Sequence, residues 1–134
     1  MTVARQILET HPVGTEIDAD ALIRCIEECV SCAQSCTACA DACLAEESVA
    51  HLRRCITLCN DCADICNTTS RVVSRVTDLD REVARAALEA CVSSCRVCGA
   101  ECGVHAKMGM KHCEVCEESC RRCEQACRDL ITVL

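Results

Sequence analysis

Residues 25–43 read CIEECVSCAQSCTACADAC, with thiols at Cys25, Cys29, Cys32, Cys36, Cys39 and Cys43 in steps of four, three, four, three, four. Residues three and four apart are neighbours on one face of a helix. This spacing therefore predicts an α-helix that carries all six thiols on one stripe. The rhythm returns at Cys55, Cys59, Cys62 and Cys66, at Cys91, Cys95, Cys98 and Cys102, and at Cys113, Cys116, Cys120, Cys123 and Cys127. All 19 cysteines belong to these four stripes.

The flanking residues extend the stripes into helices. Leu22 continues the first one backwards and Glu46 continues it forwards, which predicts a helix over about 18–46 capped by Thr15 or Asp18. Glu46-Glu47-Ser48 reads as a tight turn, with Ser48 capping a second helix over 48–75 that also carries Leu52, Thr69, Val73 and Val76. Thr77 or Asp78 is expected to cap a third, 78–106, carrying Ala84, Leu88 and His105. After the turn at 107–111, a fourth spans 110–131 and adds Leu130. Residues 1–14 give a short N-terminal helix with Val3, Ile7 and Leu8 on one side, then an HPVG linker in which His11 is plain connection. The expected fold is all-α: an antiparallel up-down-up-down four-helix bundle, one domain over 1–134, with cysteines lining the core.

Composition agrees. One Pro and four Gly leave few breakers in 134 residues, and aromatics are absent, so the core lacks its usual large fillers. A net charge of -7 argues against nucleic acid and anionic membrane surfaces as partners. No apolar run approaches the roughly 20 residues of a membrane span. The N-terminus shows neither a secretory signal nor a twin-arginine motif, so the expected location is the cytoplasm, where thiols stay reduced.

What do four thiol stripes do? Packing alone does not require thiols at every inward position, although a free cysteine packs as a small hydrophobe. Disulfides suit neither successive cysteines on one helix nor the odd count. Iron–sulfur motifs place their cysteines in loops around one cluster, and thioredoxin-type CxxC chemistry needs a βαβ context. Soft thiolate ligands select Cu(I) or zinc. A four-thiolate zinc site carries a charge of about -2, which is costly to bury several times over. Cu(I) sharing thiolates keeps the core near neutral at roughly one copper per cysteine. Sulfurs on one metal lie about 4.5 Å apart. That is within reach of the nine CxxxC pairs, 25/29, 32/36, 39/43, 55/59, 62/66, 91/95, 98/102, 116/120 and 123/127, which leave Cys113 over.

Helix direction gives the core a polarity. Leu22, Val73, Leu88 and Leu130 close one end, while Glu46, His51, His105, Met108, Met110 and His112 gather at the other. His105 follows Cys102 on the third stripe and His112 adjoins Cys113, so both are candidate ligands. Met108 and Met110 are candidate thioether donors and Glu46 a candidate carboxylate at the entrance; Asp61 and Asp64 point sideways into solvent.

These CxxxC-lined helices, without aromatics and with a His- and Met-containing third turn, resemble the bacterial cytosolic copper-storage proteins over essentially the whole chain. The resemblance implies a bundle that holds many Cu(I) ions on all 19 cysteines. It also implies copper entering past His105, Met108, Met110 and His112, a homotetramer, and no enzymatic activity. A copper chaperone is a candidate partner. Two other functions compete: a zinc- or cadmium-sequestering protein of metallothionein type, and a thiol/disulfide redox protein.

Overall fold

In the computed structural model, which describes residues 2–134, the described residues form α1 (Val3–Glu9), α2 (Ala19–Leu44), a 3-10 turn (Val49–His51), α3 (Arg53–Ser74), α4 (Arg81–Ala106) and α5 (Lys111–Val133). The four long helices pack as a ring, α2 on α3, α3 on α4, α4 on α5 and α5 back on α2. Short connections make neighbours antiparallel, which is the expected bundle. Among the described residues no helix is long and apolar enough to cross a membrane.

The reason these helices associate is the period of their buried positions. On α2 the pairs 25/29, 32/36 and 39/43 recur every seven residues, and 55/59 with 62/66, 91/95 with 98/102, and 116/120 with 123/127 do the same. A seven-residue repeat keeps one seam facing its neighbours along the whole helix. Every cysteine on these seams is buried, none more than 3% exposed. The repeat continues into an aliphatic layer of Leu22, Val73, Leu88 and Leu130, all at most 1% exposed. This layer seals the end of the bundle next to Cys25. Replacing Leu88 by Ala there should destabilise the metal-free protein by about 2–5 kcal/mol in a denaturant titration, the usual cost of a Leu-sized hole.

The helix boundaries depart from the sequence reading in three places. Ser48 caps nothing with its side chain: Val49–His51 winds as 3-10, and α3 starts only after Leu52, which is 1% exposed and anchors the chain by burial. Asp80, not Thr77 or Asp78, caps α4, its carboxylate accepting from the Val83 amide at 2.9 Å. The chain first has to seat Val76 and Leu79 against the core. Finally, α2 ends at Leu44, so Glu46 leaves the cysteine stripe and lies in the turn. Asp18 does cap α2, accepting from Ala21 at 2.9 Å.

His11 is more than connection. Its Nδ1 accepts from the amides of Val13 and Gly14 at 3.1 and 3.0 Å, so Nε2 carries the proton and donates to Thr77 Oγ1 at 3.1 Å. Leu8 packs on the core, while Val3 and Ile7 of α1 remain 72% and 62% exposed. The N-terminal segment is thus held to the closed end of the bundle.

Candidate metal centre

All 19 cysteines are free thiols, and their sulfurs sort into layers. The layer next to the aliphatic seal contains Cys25, Cys29, Cys62, Cys66, Cys91, Cys95, Cys123 and Cys127, linked by Sγ–Sγ hydrogen bonds of 3.7–4.0 Å. The next contains Cys32, Cys36, Cys55, Cys59, Cys98, Cys102, Cys116 and Cys120, linked over 3.7–4.0 Å. Each of these two layers takes one CxxxC pair from each long helix. The two layers meet where Cys32 and Cys62 share groups of four sulfurs that lie within 4.8 Å of one another.

The third layer is incomplete. Cys39, Cys43 and Cys113 supply its sulfurs, and the seam is completed by Leu52, just ahead of α3, and His105 from α4. Cys39, Cys43, Cys113 and His112 form another group within 4.8 Å. Cys39 Sγ lies 3.9 Å from Cys113 Sγ. The heptad explains the location: this layer is the last before α2 and α4 end and α3 and α5 begin.

Most sulfur–sulfur hydrogen bonds cross between helices. Within a helix, Cys25/Cys29, Cys32/Cys36 and Cys62/Cys66 close to 4.0, 3.8 and 3.7 Å. The pairs Cys39/Cys43, Cys116/Cys120 and Cys123/Cys127 also lie within 4.8 Å. Two sulfurs on one metal need about 4.5 Å. The thiols are therefore spaced for metal without backbone movement, and an ion held by one of the four-sulfur groups touches more than one helix.

The thiols differ in acidity by position. Burial pushes Cys43 up to about 11 and Cys113 up to about 12, with the neighbouring Cys55 adding to both. At the closed end, hydrogen bonds from Cys127 and Cys29 hold Cys25 down to about 5. A thiol whose folded value lies above its unfolded value stabilises the fold below the unfolded value. It loses that contribution as pH rises through the folded one. Metal-free protein should accordingly lose stability between the ordinary thiol value of 9.0 and about 12, owing to Cys43 and Cys113. Thermal melts across that range should show a shallower fall in Cys43→Ala.

The rim residues are not equivalent. His105 is 7% exposed, and neither ring nitrogen has a hydrogen-bond partner. Buried polar atoms are rarely left so, and an unpartnered imidazole lone pair suits a soft ion. Cys55 is held low chiefly by hydrogen bonding from Cys102, with His105 contributing. His112 places Nδ1 3.4 Å from Cys39 Sγ and 3.6 Å from Cys113 Sγ, and Nε2 2.9 Å from Glu46 Oε1. Met110 packs against the core, Met108 is 69% exposed, and His51 is exposed. Asp61 and Asp64 are exposed, as expected. The sequence reading missed Ser94, whose hydroxyl lies 3.8 Å from Cys62 Sγ beside the junction of the two full layers. Its only sequence signal is adjacency to Cys95.

Residues 18–132 match the family model described as copper storage protein. The chain is 51% identical, with a TM-score of 0.95, to the copper storage protein Ccsp of Streptomyces lividans loaded with 10 copper equivalents, covering 98% of this chain and all of that one. A form of that cytosolic protein with five coppers aligns at 56% identity and a TM-score of 0.83, over 86% of this chain and 95% of the other. A single-substitution mutant of it aligns at 55% identity and a TM-score of 0.85, over 87% and 97%. No curated protein matches the chain.

Proposed function

The chain belongs to the copper storage protein family, and on that premise we propose that it stores and buffers Cu(I) in the cytosol without catalysing a reaction. The observation that carries this reading is the column of 19 free, buried thiols, stacked at metal-bridging distances and sealed at one end by aliphatic side chains. Such a core suits a monovalent soft ion. Each Cu(I) replaces about one thiol proton, so filling the column leaves the interior near neutral. A divalent ion at each four-sulfur group would add about -2 per site to a dry interior.

In this reading the cysteines are the ligands of one storage domain, and His105 and His112 extend the ligand set where sulfurs run out. Met110 and the exposed Met108 offer thioethers to arriving and departing copper. A copper chaperone would meet the protein at this end, and the functional unit is a homotetramer, as in the family it resembles. The ion held is cargo, so its capacity and its reversibility are the measures of function.

Anaerobic titration with Cu(I) against a cuprous chelator tests the proposal. Binding should saturate near one copper per cysteine, with ultraviolet thiolate–copper absorption rising in proportion. Saturation near a quarter of that value, or equal uptake of zinc, would instead indicate tetrahedral divalent sites. Loss of thiols on air exposure with no copper uptake would indicate disulfide cycling.

A further inference from the structure

We infer that Glu46 is not a ligand but a positioning residue, which fixes the tautomer and orientation of the His112 ring so that Nδ1 keeps its lone pair toward the thiols of Cys39 and Cys113. A carboxylate only accepts hydrogen bonds. The 2.9 Å contact from His112 Nε2 to Glu46 Oε1 therefore places the ring proton on Nε2. Nδ1 on the other edge of the ring is then the unprotonated nitrogen, 3.4 Å from Cys39 Sγ and 3.6 Å from Cys113 Sγ, and accepts from these thiols. The carboxylate thus meets the ring on the edge turned away from the sulfurs.

The backbone explains how Glu46 reaches this position. Continued as helix, α2 would have carried Glu46 along the cysteine stripe toward the metal column. The helix instead stops at Leu44, and the turn moves the side chain out to the rim. There it is 35% exposed and the His112 side chain 25%, so neither is free in solvent nor fully dry. His105 forms the internal contrast, because nothing holds either of its nitrogens. The mouth therefore has one histidine with a fixed tautomer, on the α2/α5 side, and one free to choose, on the α3/α4 side. Hydrogen bonds to the far nitrogen of a ligating histidine raise its basicity and fix its direction, and losing them weakens a metal site by about 10- to 100-fold.

The consequence for copper rests on the storage reading above, but the tautomer does not, and the two are measured apart. In metal-free, reduced, 15N-labelled protein at about pH 8, where free imidazole is neutral, two-bond proton–nitrogen spectra report which ring nitrogen of His112 is protonated. Wild type and Glu46→Gln, whose amide oxygen still accepts, should show the Nε2–H form. Glu46→Ala should populate both. Chelator competition should then find the mouth site weakened about 10-fold in Glu46→Ala and near wild type in Glu46→Gln, with circular dichroism unchanged. Retention of a single Nε2–H form in Glu46→Ala overturns the inference. So does a Glu46→Gln variant as weak as Glu46→Ala, since that would make the carboxylate itself a ligand. If wild type takes up no Cu(I), the storage reading fails and the positioning role stands or falls on the tautomer alone.

Discussion

Loaded with Cu(I) under nitrogen, the protein should stay folded in guanidinium concentrations that unfold the metal-free form completely, and its thermal midpoint should rise by roughly 30 °C or more. The argument is one of scale. A metal-free domain of this size has about 5–15 kcal/mol of stability. A site held by the folded state alone adds about 2.7 kcal/mol when free ligand is a hundredfold above its Kd. Four such sites reach about 11 kcal/mol, which is already comparable to the whole fold. The built groups of sulfurs require several helices at once, so the unfolded chain cannot reproduce them. Removing copper with a cuprous chelator should return the midpoint to its starting value. A loaded midpoint within a few degrees of the metal-free one would mean that the unfolded chain binds copper equally well, and that the packed column confers nothing.

The second large effect is expected at the junction of the two full thiol layers. Cys32 and Cys62 belong to both groups of four sulfurs that span it. Cu(I) moving inward by thiolate exchange needs a next sulfur within about 4.5 Å before it releases the last. In Cys32→Ala/Cys62→Ala this step is removed. The two substitutions delete only two sulfur atoms, so the fold should survive at a cost of about 1 kcal/mol each. Uptake should split into two phases, with the layer beside Leu22 and Leu130 filling roughly tenfold more slowly or worse, as a barrier rise of about 1.4 kcal/mol suffices. Stopped-flow absorption of thiolate–copper bonds follows both phases. A single phase whose amplitude falls only in proportion to the lost thiols would show that copper reaches the inner layer without the junction.

The bundle was legible in the sequence because one residue type marks most inward positions of all four stripes, so the seven-residue period can be read without tertiary knowledge. The aliphatic seal followed by extending the same stripes to Leu22, Val73, Leu88 and Leu130. Legibility failed where burial rather than capping decides a boundary. Ser48 and Thr77 are good cap residues, yet Leu52 sets the start of α3, and Asp80 takes the α4 cap after Val76 and Leu79 have packed. It failed again at Glu46, because reading it as a stripe residue assumed a helix that ends at Leu44. His105 and His112 were found by adjacency to cysteines. Their different hydrogen bonding was not, because it depends on which side of the rim each ring faces. The grouping of CxxxC pairs from four helices into two full layers requires the relative heights of the helices, which no single stripe contains.

One heptad advances a helix by about 10.5 Å, and across four helices it brings eight more sulfurs in the register already seen twice. In the seal and the mouth the same repeat carries other side chains, Leu22, Val73, Leu88 and Leu130 at one end and Leu52 and His105 at the other. Duplicating one heptad in every long helix would therefore lengthen the barrel by a whole storey while both ends kept their chemistry. In a fold of this kind length is the adjustable dimension: a lineage could change how much it holds by internal duplication, in increments of eight, without inventing a new site.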